Sequence, residues 1–215
     1  MKQTGTVYVV DDDEQVRNAA LALVGAMGVA AEGFASAEDF LKSYAGTRPA
    51  CLVTDVRMLG MSGLQLQEKL TERGIAISVV VLTAYASTPL AVRAMRSGAL
   101  TLLEKPCDDD ELWNAVREGL EADRSRFADE RRRREVRERL ATLTPKEREV
   151  FQCIVVGDAN KVSARKLGVS VRTIEIHRRK VFEKTGADSV AELVRMALAA
   201  EEGQAHQEAE PGRPY

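Results

Sequence analysis

Two hydrophobic rhythms divide the chain. Thr6–Val10 (TVYVV), Cys51–Thr54, Ser78–Leu82 (SVVVL) and Leu102–Leu103 are short apolar runs, several of them β-branched. That is the form of a strand buried on both faces. Ala30–Phe34 is a weaker fifth strand. Between these runs, apolar residues return every three or four positions. Val16, Ala20, Leu23, Val24 and Met27 predict a helix over Glu14–Met27, and Leu64, Leu66 and Leu70 predict one over Leu64–Arg73. Ser36 caps a helix running to Tyr44, with Asp39 completing a partial capping box. A helix from Leu90 to Ser97 stops at Gly98, and the acidic turn Asp108–Glu111 suits the positive start of another. Strands alternating with helices predict an α/β domain over residues 1–120, a doubly wound five-stranded parallel sheet.

The rhythm then changes. Residues 121–139 hold 14 charged residues out of 19, and neither Gly nor Pro occurs from 121 to 144. A helical linker over 121–142 is expected, continuing the last helix of the first domain. Trp113, Val116, Leu120, Phe127, Val136 and Leu140 form a heptad seam broken by charge, so a solvated spacer is favoured over a dimer stalk. Thr144, Pro145 and Glu147 make a strong helix start. Helices are predicted over Pro145–Val156, Asn160–Leu167, Val171–Lys184 and Val190–Ala199. The turn Leu167–Ser170 joins a helix to a second one rich in Arg and Lys, which describes an all-α helix-turn-helix domain over 143–199. Residues 200–215 are polar, contain two prolines, and are expected to be a disordered tail.

Charge sharpens this division. Residues 1–120 carry 11 basic and 16 acidic groups, whereas 121–142 carry 8 against 6 and 143–198 carry 11 against 7. An acidic front and a basic back suit a polyanionic partner for the second domain. The three cysteines have no disulfide or zinc spacing, which fits a reducing cytosol. The apolar run Ala19–Ala31 is 13 residues, too short for a bilayer, and acidic residues from position 11 exclude a signal peptide. The expectation is a cytoplasmic protein with no membrane partner.

The chemistry gathers where strands end. The runs lead into Asp11-Asp12, Asp55, Thr83 and Lys105, with intervals of 43, 28 and 22 residues from Asp12 onward. Each interval has room for a right-handed crossover, and ligands of open α/β sheets collect at the carboxyl edge. Carboxylates, a hydroxyl and an ammonium meeting there point to a divalent-cation and phosphoryl site. Asp13 and Glu14 read better as helix N-terminal acids.

This ordered set (VVDD at Val9–Asp12, Asp55 before MLGMSG, Thr83-Ala84, Lys105-Pro106) resembles a response-regulator receiver domain. LTPKEREV from Leu143, Asn160-Lys161 and TIEIHRRKVFEK over Thr173–Lys184 resemble the LuxR-type helix-turn-helix. Together they resemble the FixJ/NarL group of two-component transcription factors. The resemblance implies a flavodoxin-like receiver whose Asp55 accepts a phosphoryl group from a sensor histidine kinase. It implies Mg²⁺ (or Mn²⁺) held by Asp12, Asp55 and the Arg57 carbonyl, with Asp11 acting through water. It also implies Lys105 pairing with phosphoryl oxygens beside a cis Pro106, and Thr83 bonding the phosphate. The chain would catalyse only its own phosphorylation and aspartyl-phosphate hydrolysis.

On the second helix of the motif, spacing selects a stripe of Arg172, Glu175, Ile176, Arg179 and Lys180. Matching family positions place Glu175, Ile176 and Arg179 near base edges. Lys161, Arg172, His177, Arg178 and Lys184 would contact phosphates, with Thr173 in the same DNA-binding set. The implied partners are double-stranded DNA and a second copy of the chain when phosphorylated, with RNA polymerase a candidate as well. The family leans toward activation. Four positions depart from the pattern: Leu59 replaces a usual proline, Leu102 an aromatic, Cys107 a phenylalanine, and Ser163 an apolar residue. Two other classes stay open. An aspartyl phosphohydrolase would want D-x-D-G, which residues 11–14 do not supply. A phosphorylation-independent DNA-binding regulator with a degenerate switch is the alternative reading.

Overall fold

The computed structural model of the chain describes residues 5–208, of which 201–208 are described by backbone alone. The chain divides into two compact units that meet between residues 128 and 129.

In the first unit, β1 (Thr6–Val10), β2 (Ala30–Phe34), β3 (Ala50–Asp55), β4 (Ser78–Thr83) and β5 (Thr101–Glu104) form one parallel sheet in the order β2-β1-β3-β4-β5. The helices are α1 (Glu14–Ala26), α2 (Ala37–Ser43), α3 (Gly63–Glu72), α4 (Thr88–Arg96) and α5, which begins at Asp109 and runs to Ala141. Strand alternation sorts the core into two layers. Tyr8, Val10, Leu52, Val79 and Val81 face Phe40 of α2, Leu66 and Leu70 of α3, and Ala94 of α4. Val7, Val9, Val53, Val80 and Leu82 face Ala20 and Val24 of α1, and Leu112, Val116 and Leu120 of α5. Central strands covered on both faces must be apolar throughout, which is why β1, β3 and β4 read as continuous hydrophobic runs. Gly119 lets α5 close on the sheet, because a Cβ there would lie 2.6 Å from Cys51 Sγ.

The expected helix at Leu90 starts two residues earlier, where the Ser87 hydroxyl accepts the Leu90 amide and Pro89 occupies the first turn. The heptad positions of α5 find separate partners. Val116 and Leu120 belong to the receiver-side core, and Val136 and Leu140 pack into the core of the second unit. Residues 121–128 are mostly exposed, as a solvated spacer would be, except at one position. Asp123 is fully buried and accepts the Ala50 amide and the Arg48 guanidinium, both at 2.7 Å.

The second unit contains the end of α5 and then α6 (Pro145–Val156), α7 (Asn160–Leu167), α8 (Val171–Thr185) and α9 (Val190–Glu208). Ile154, Ile174, Val181 and Leu193 are its most buried hydrophobic side chains. Ser163 sits in this core at 1% exposure, and its hydroxyl is satisfied by the Ala159 carbonyl one turn back. The expected end of the last helix at Ala199 is wrong, since α9 continues to Glu208 through Glu201, Glu202 and Gln204, all good helix formers. The rest of the expected tail, 209–215, lies outside the described residues.

Candidate functional site

The parallel sheet delivers the predicted residues to one edge. Asp11 follows β1, Asp55 and Thr83 end β3 and β4, and Lys105 follows β5. The lysine reaches back across them. Its Nζ lies 2.6 Å from Asp11 Oδ2 and 3.0 Å from Asp55 Oδ1. Asp11 and Asp55 are 2% and 7% exposed, so their charges meet in a pocket largely shut off from water. Burial pushes the Asp11 carboxyl above its ordinary range, although Lys105 opposes this. For Lys105, burial favours the neutral amine, but the two carboxylates prevail and raise its pKa.

The loop after Asp55 is tightly specified. The Arg57 amide donates to Asp55 Oδ2 at 2.8 Å, and Gly63 closes the turn by donating to the Val56 carbonyl. A Cβ at Gly63 would fall 2.1 Å from the Asp55 carbonyl oxygen, so only glycine fits. Asp12 is exposed, and its Oδ2 accepts the Leu59 amide at 2.9 Å. The Asp13 side chain caps α1 through the amides of Gln15 and Val16, while its own amide donates to Asp11 Oδ1 at 3.0 Å. Among the described residues, no three His, Cys, Asp or Glu side chains are grouped closely enough to hold a metal ion as they stand.

Thr83 is 1% exposed, and its hydroxyl accepts the Tyr85 amide at 3.2 Å, so it serves its own loop. Tyr85 in turn lies under the Arg57 guanidinium, 5.0 Å from ring centroid to charge, at the mouth of the pocket. The Lys105–Pro106 peptide is cis. Leu102 packs at the edge of the core on the α2–α4 side.

In the second unit, the predicted stripe on α8 faces outward. Arg172, Glu175, Ile176, Arg179 and Lys180 are all exposed, and Ile176 leaves half its surface in solvent. Lys161 on α7 is exposed too. An open apolar side chain between basic residues is what a groove-reading helix displays. Arg179 meets Glu183 at 3.2 Å. Thr173 belongs to the cap of α8, its hydroxyl 2.8 Å from that of Ser170. His177 and Arg178 are half-buried flanks of the stripe. Lys184 is set apart from them: its ammonium turns inward to Glu147 Oε2 at 2.6 Å and the Thr142 carbonyl at 3.2 Å. Glu147 also accepts the Thr144 amide, and Lys184 with that cap holds its carboxyl down at about 2.

Sequence reasoning missed three of these relationships. They are the Asp123 clasp, the Leu59 amide on Asp12, and the inward turn of Lys184. Each joins residues more than 35 positions apart, where periodicity carries no signal.

A doubly wound parallel sheet with Asp, Thr and Lys at its carboxyl edge, followed by a helix-turn-helix unit, defines a two-component response regulator that binds DNA and regulates transcription. The comparisons agree. Residues 7–117 match the response regulator receiver domain family, and residues 141–197 match the luxR family of bacterial regulatory proteins. Over 93% of its length, the chain is 44% identical to the transcriptional regulatory protein FixJ of Azorhizobium caulinodans, covering 95% of that protein. It is 40% identical to FixJ of Rhizobium meliloti over 90% of this chain and 95% of the relative. Among solved structures, the response regulator StyR superposes with a TM-score of 0.83 at 36% identity, covering 90% of this chain and 98% of StyR. The chain belongs to the response regulators that join a receiver domain to a LuxR-family DNA-binding domain. No helix among the described residues is long and apolar enough to cross a membrane.

Proposed function

We propose that the chain is a cytoplasmic transcription factor switched by phosphorylation of Asp55. An Asp55 oxygen attacks the phosphorus of a phosphohistidine on a sensor kinase, the P–N bond breaks, and the departing imidazole takes up a proton. The observation that carries this reading is Lys105 between Asp11 and Asp55, a cation already beside the attacking carboxylate. Lys105 would exchange Asp11 for the new phosphoryl oxygens, and Thr83 would turn its O–H from the Tyr85 carbonyl to a phosphoryl oxygen. The donors Asp11, Asp12, Asp55 and the Arg57 carbonyl are hard oxygens, which suit Mg²⁺ or Mn²⁺. When bound, such an ion would offset the negative charge that gathers around the phosphoryl group. Hydrolysis of the acyl phosphate by water restores Asp55.

Phosphorylation adds about −1.5 to −2 charge to a buried edge, which is enough to bias a two-state loop. The consequence we assign is dimerisation, so that two helix-turn-helix units read a two-fold-symmetric duplex. Glu175, Ile176 and Arg179 would read base edges. Lys161, Arg172, His177, Arg178 and Lys180 would set register on phosphates, and RNA polymerase would be met at an activated promoter. The test is incubation with Mg²⁺ and a small phosphodonor, followed by intact-mass and peptide analysis. The expected result is one phosphoryl group on Asp55, abolished by Asp55→Asn, with tighter DNA binding on phosphorylation. DNA binding that ignores the donor would overturn the reading in favour of a phosphorylation-independent regulator.

A further inference from the structure

The loop that follows Asp55 is held from outside by two carboxylates. The Leu59 amide donates to Asp12 Oδ2 at 2.9 Å, and the Met61 amide donates to Glu38 Oε1 at 3.1 Å. The Leu59 side chain is 83% exposed, so it contributes almost no packing. What residue 59 supplies here is its N–H. That donor would not exist in proline, the one residue type without a backbone N–H. The acceptor, Asp12 Oδ2, is one of the oxygens that a cation at this edge would need.

We propose that the Leu59 N–H is a latch on Asp12. It keeps that carboxylate turned toward the β3–α3 loop and makes cation entry conditional on breaking one charge-assisted hydrogen bond. Leu59 is thus a positioning residue acting through Asp12, and the proposal rests on the reading of this edge as a divalent-cation site. Lys105 neutralises Asp11 and Asp55 while the latch occupies Asp12, so each of these three carboxylates has a partner of its own. Cation binding then competes against the protein's own donors, and affinity is set by residue 59 without change to any ligand.

Two measurements on the full chain test this. The first needs no metal. Hydrogen exchange at the Leu59 amide should be slow in the wild type and fast in Asp12→Ala; equal rates would overturn the latch. The second is calorimetric titration with Mg²⁺ of wild type, Leu59→Ala and Leu59→Pro. Leu59→Ala keeps the N–H and should bind as the wild type does. Leu59→Pro should bind about tenfold more tightly, the worth of one hydrogen bond to a charged acceptor. Binding by Leu59→Pro that is equal to or weaker than wild type would overturn the proposal. If the proline variant does not fold, the exchange measurement still decides whether the latch forms. Slow exchange with no Mg²⁺ binding by any of the three chains would show that the cation reading fails while the hydrogen bond is real, and the gating role would fall with it.

Discussion

The carboxylate of Asp123, fully buried midway along α5, accepts the backbone amide of Ala50, the first residue of β3, at 2.7 Å. The same oxygen accepts Arg48 Nε at 2.7 Å, and the other faces Arg126 at 3.3 Å. Arg126 also donates to Ser78 Oγ, the first residue of β4, at 2.8 Å. Asp123 therefore ties α5 to the amino end of β3, and Arg126 ties it to that of β4. Replacing Asp123 removes the acceptor of a buried amide and one acceptor of a guanidinium. Asp123→Ala should cost about 3–5 kcal/mol, the range for breaking a buried ion pair. Urea denaturation followed by Trp113 fluorescence would read this as a lowered midpoint at unchanged slope.

The parallel sheet and the residues at the ends of its strands were legible because each rests on a local signal. Apolar runs mark the strands, and an acid, hydroxyl or lysine ends β1, β3, β4 and β5. The helix-turn-helix was legible for the same reason, with its Thr144 cap and Gly168 turn. The Asp123 clasp was not. It sits in a stretch where most residues are charged, and such stretches are usually solvated; only the fold brings Ala50 to it. Lys184 failed similarly. Its place on a basic helix predicted a phosphate contact, yet a carboxylate 37 positions earlier in the chain takes its charge.

That difference separates three substitutions in the second unit. Lys161→Ala should weaken binding to all duplexes alike and reduce the slope of log affinity against log salt by about 0.9. Arg179→Ala should relax preference at one base pair, with about 1–3 kcal/mol of discrimination lost. Lys184→Ala should leave the salt slope unchanged and lower the unfolding midpoint instead. Affinity measurements across salt concentrations, with specific and scrambled duplexes, would sort the three.

Glu147 gives a pH prediction. Its folded-state pKa of about 2 lies below the ordinary carboxylate value of 4.5, because Lys184 and the Thr144 amide favour the charged form. A depressed carboxylate contributes stability that is present above its unfolded value and is lost as pH falls toward the folded one. Wild type should therefore exceed Glu147→Gln in stability at neutral pH, and the gap should narrow as pH falls from about 4.5 to 2. Thermal melts of both chains across that window would show it.

Gly119 sets two effects against each other. Alanine would favour the helix by up to about 1 kcal/mol. The added methyl would sit 2.6 Å from Cys51 Sγ, whose side chain is wholly buried, and overpacking of this kind costs about 1–3 kcal/mol. The clash should win, and Gly119→Ala should melt below the wild type.

Lys105→Ala removes the ammonium that would meet the phosphoryl oxygens. Phosphorylation of Asp55 by a small donor should slow by roughly a hundredfold or more, the usual loss when one preorganised charge partner of a transition state is deleted. Asp55 remains available for attack, so the adduct should still form at long times. A time course by intact mass would distinguish slow acceptance from none.

α5 contributes side chains to both units. It gives Leu112 to Asp123 to one core and, a few turns on, Val136 and Leu140 to the other. Grafting this receiver onto a foreign effector at residue 117, where the family match ends, would leave behind the clasp on β3 and the Phe127 ring beneath Arg48. A hybrid that keeps the native helix through Ala128 carries both. The useful crossover point for protein engineering is therefore set by hydrogen bonding inside the receiver, eleven residues beyond where the family match ends.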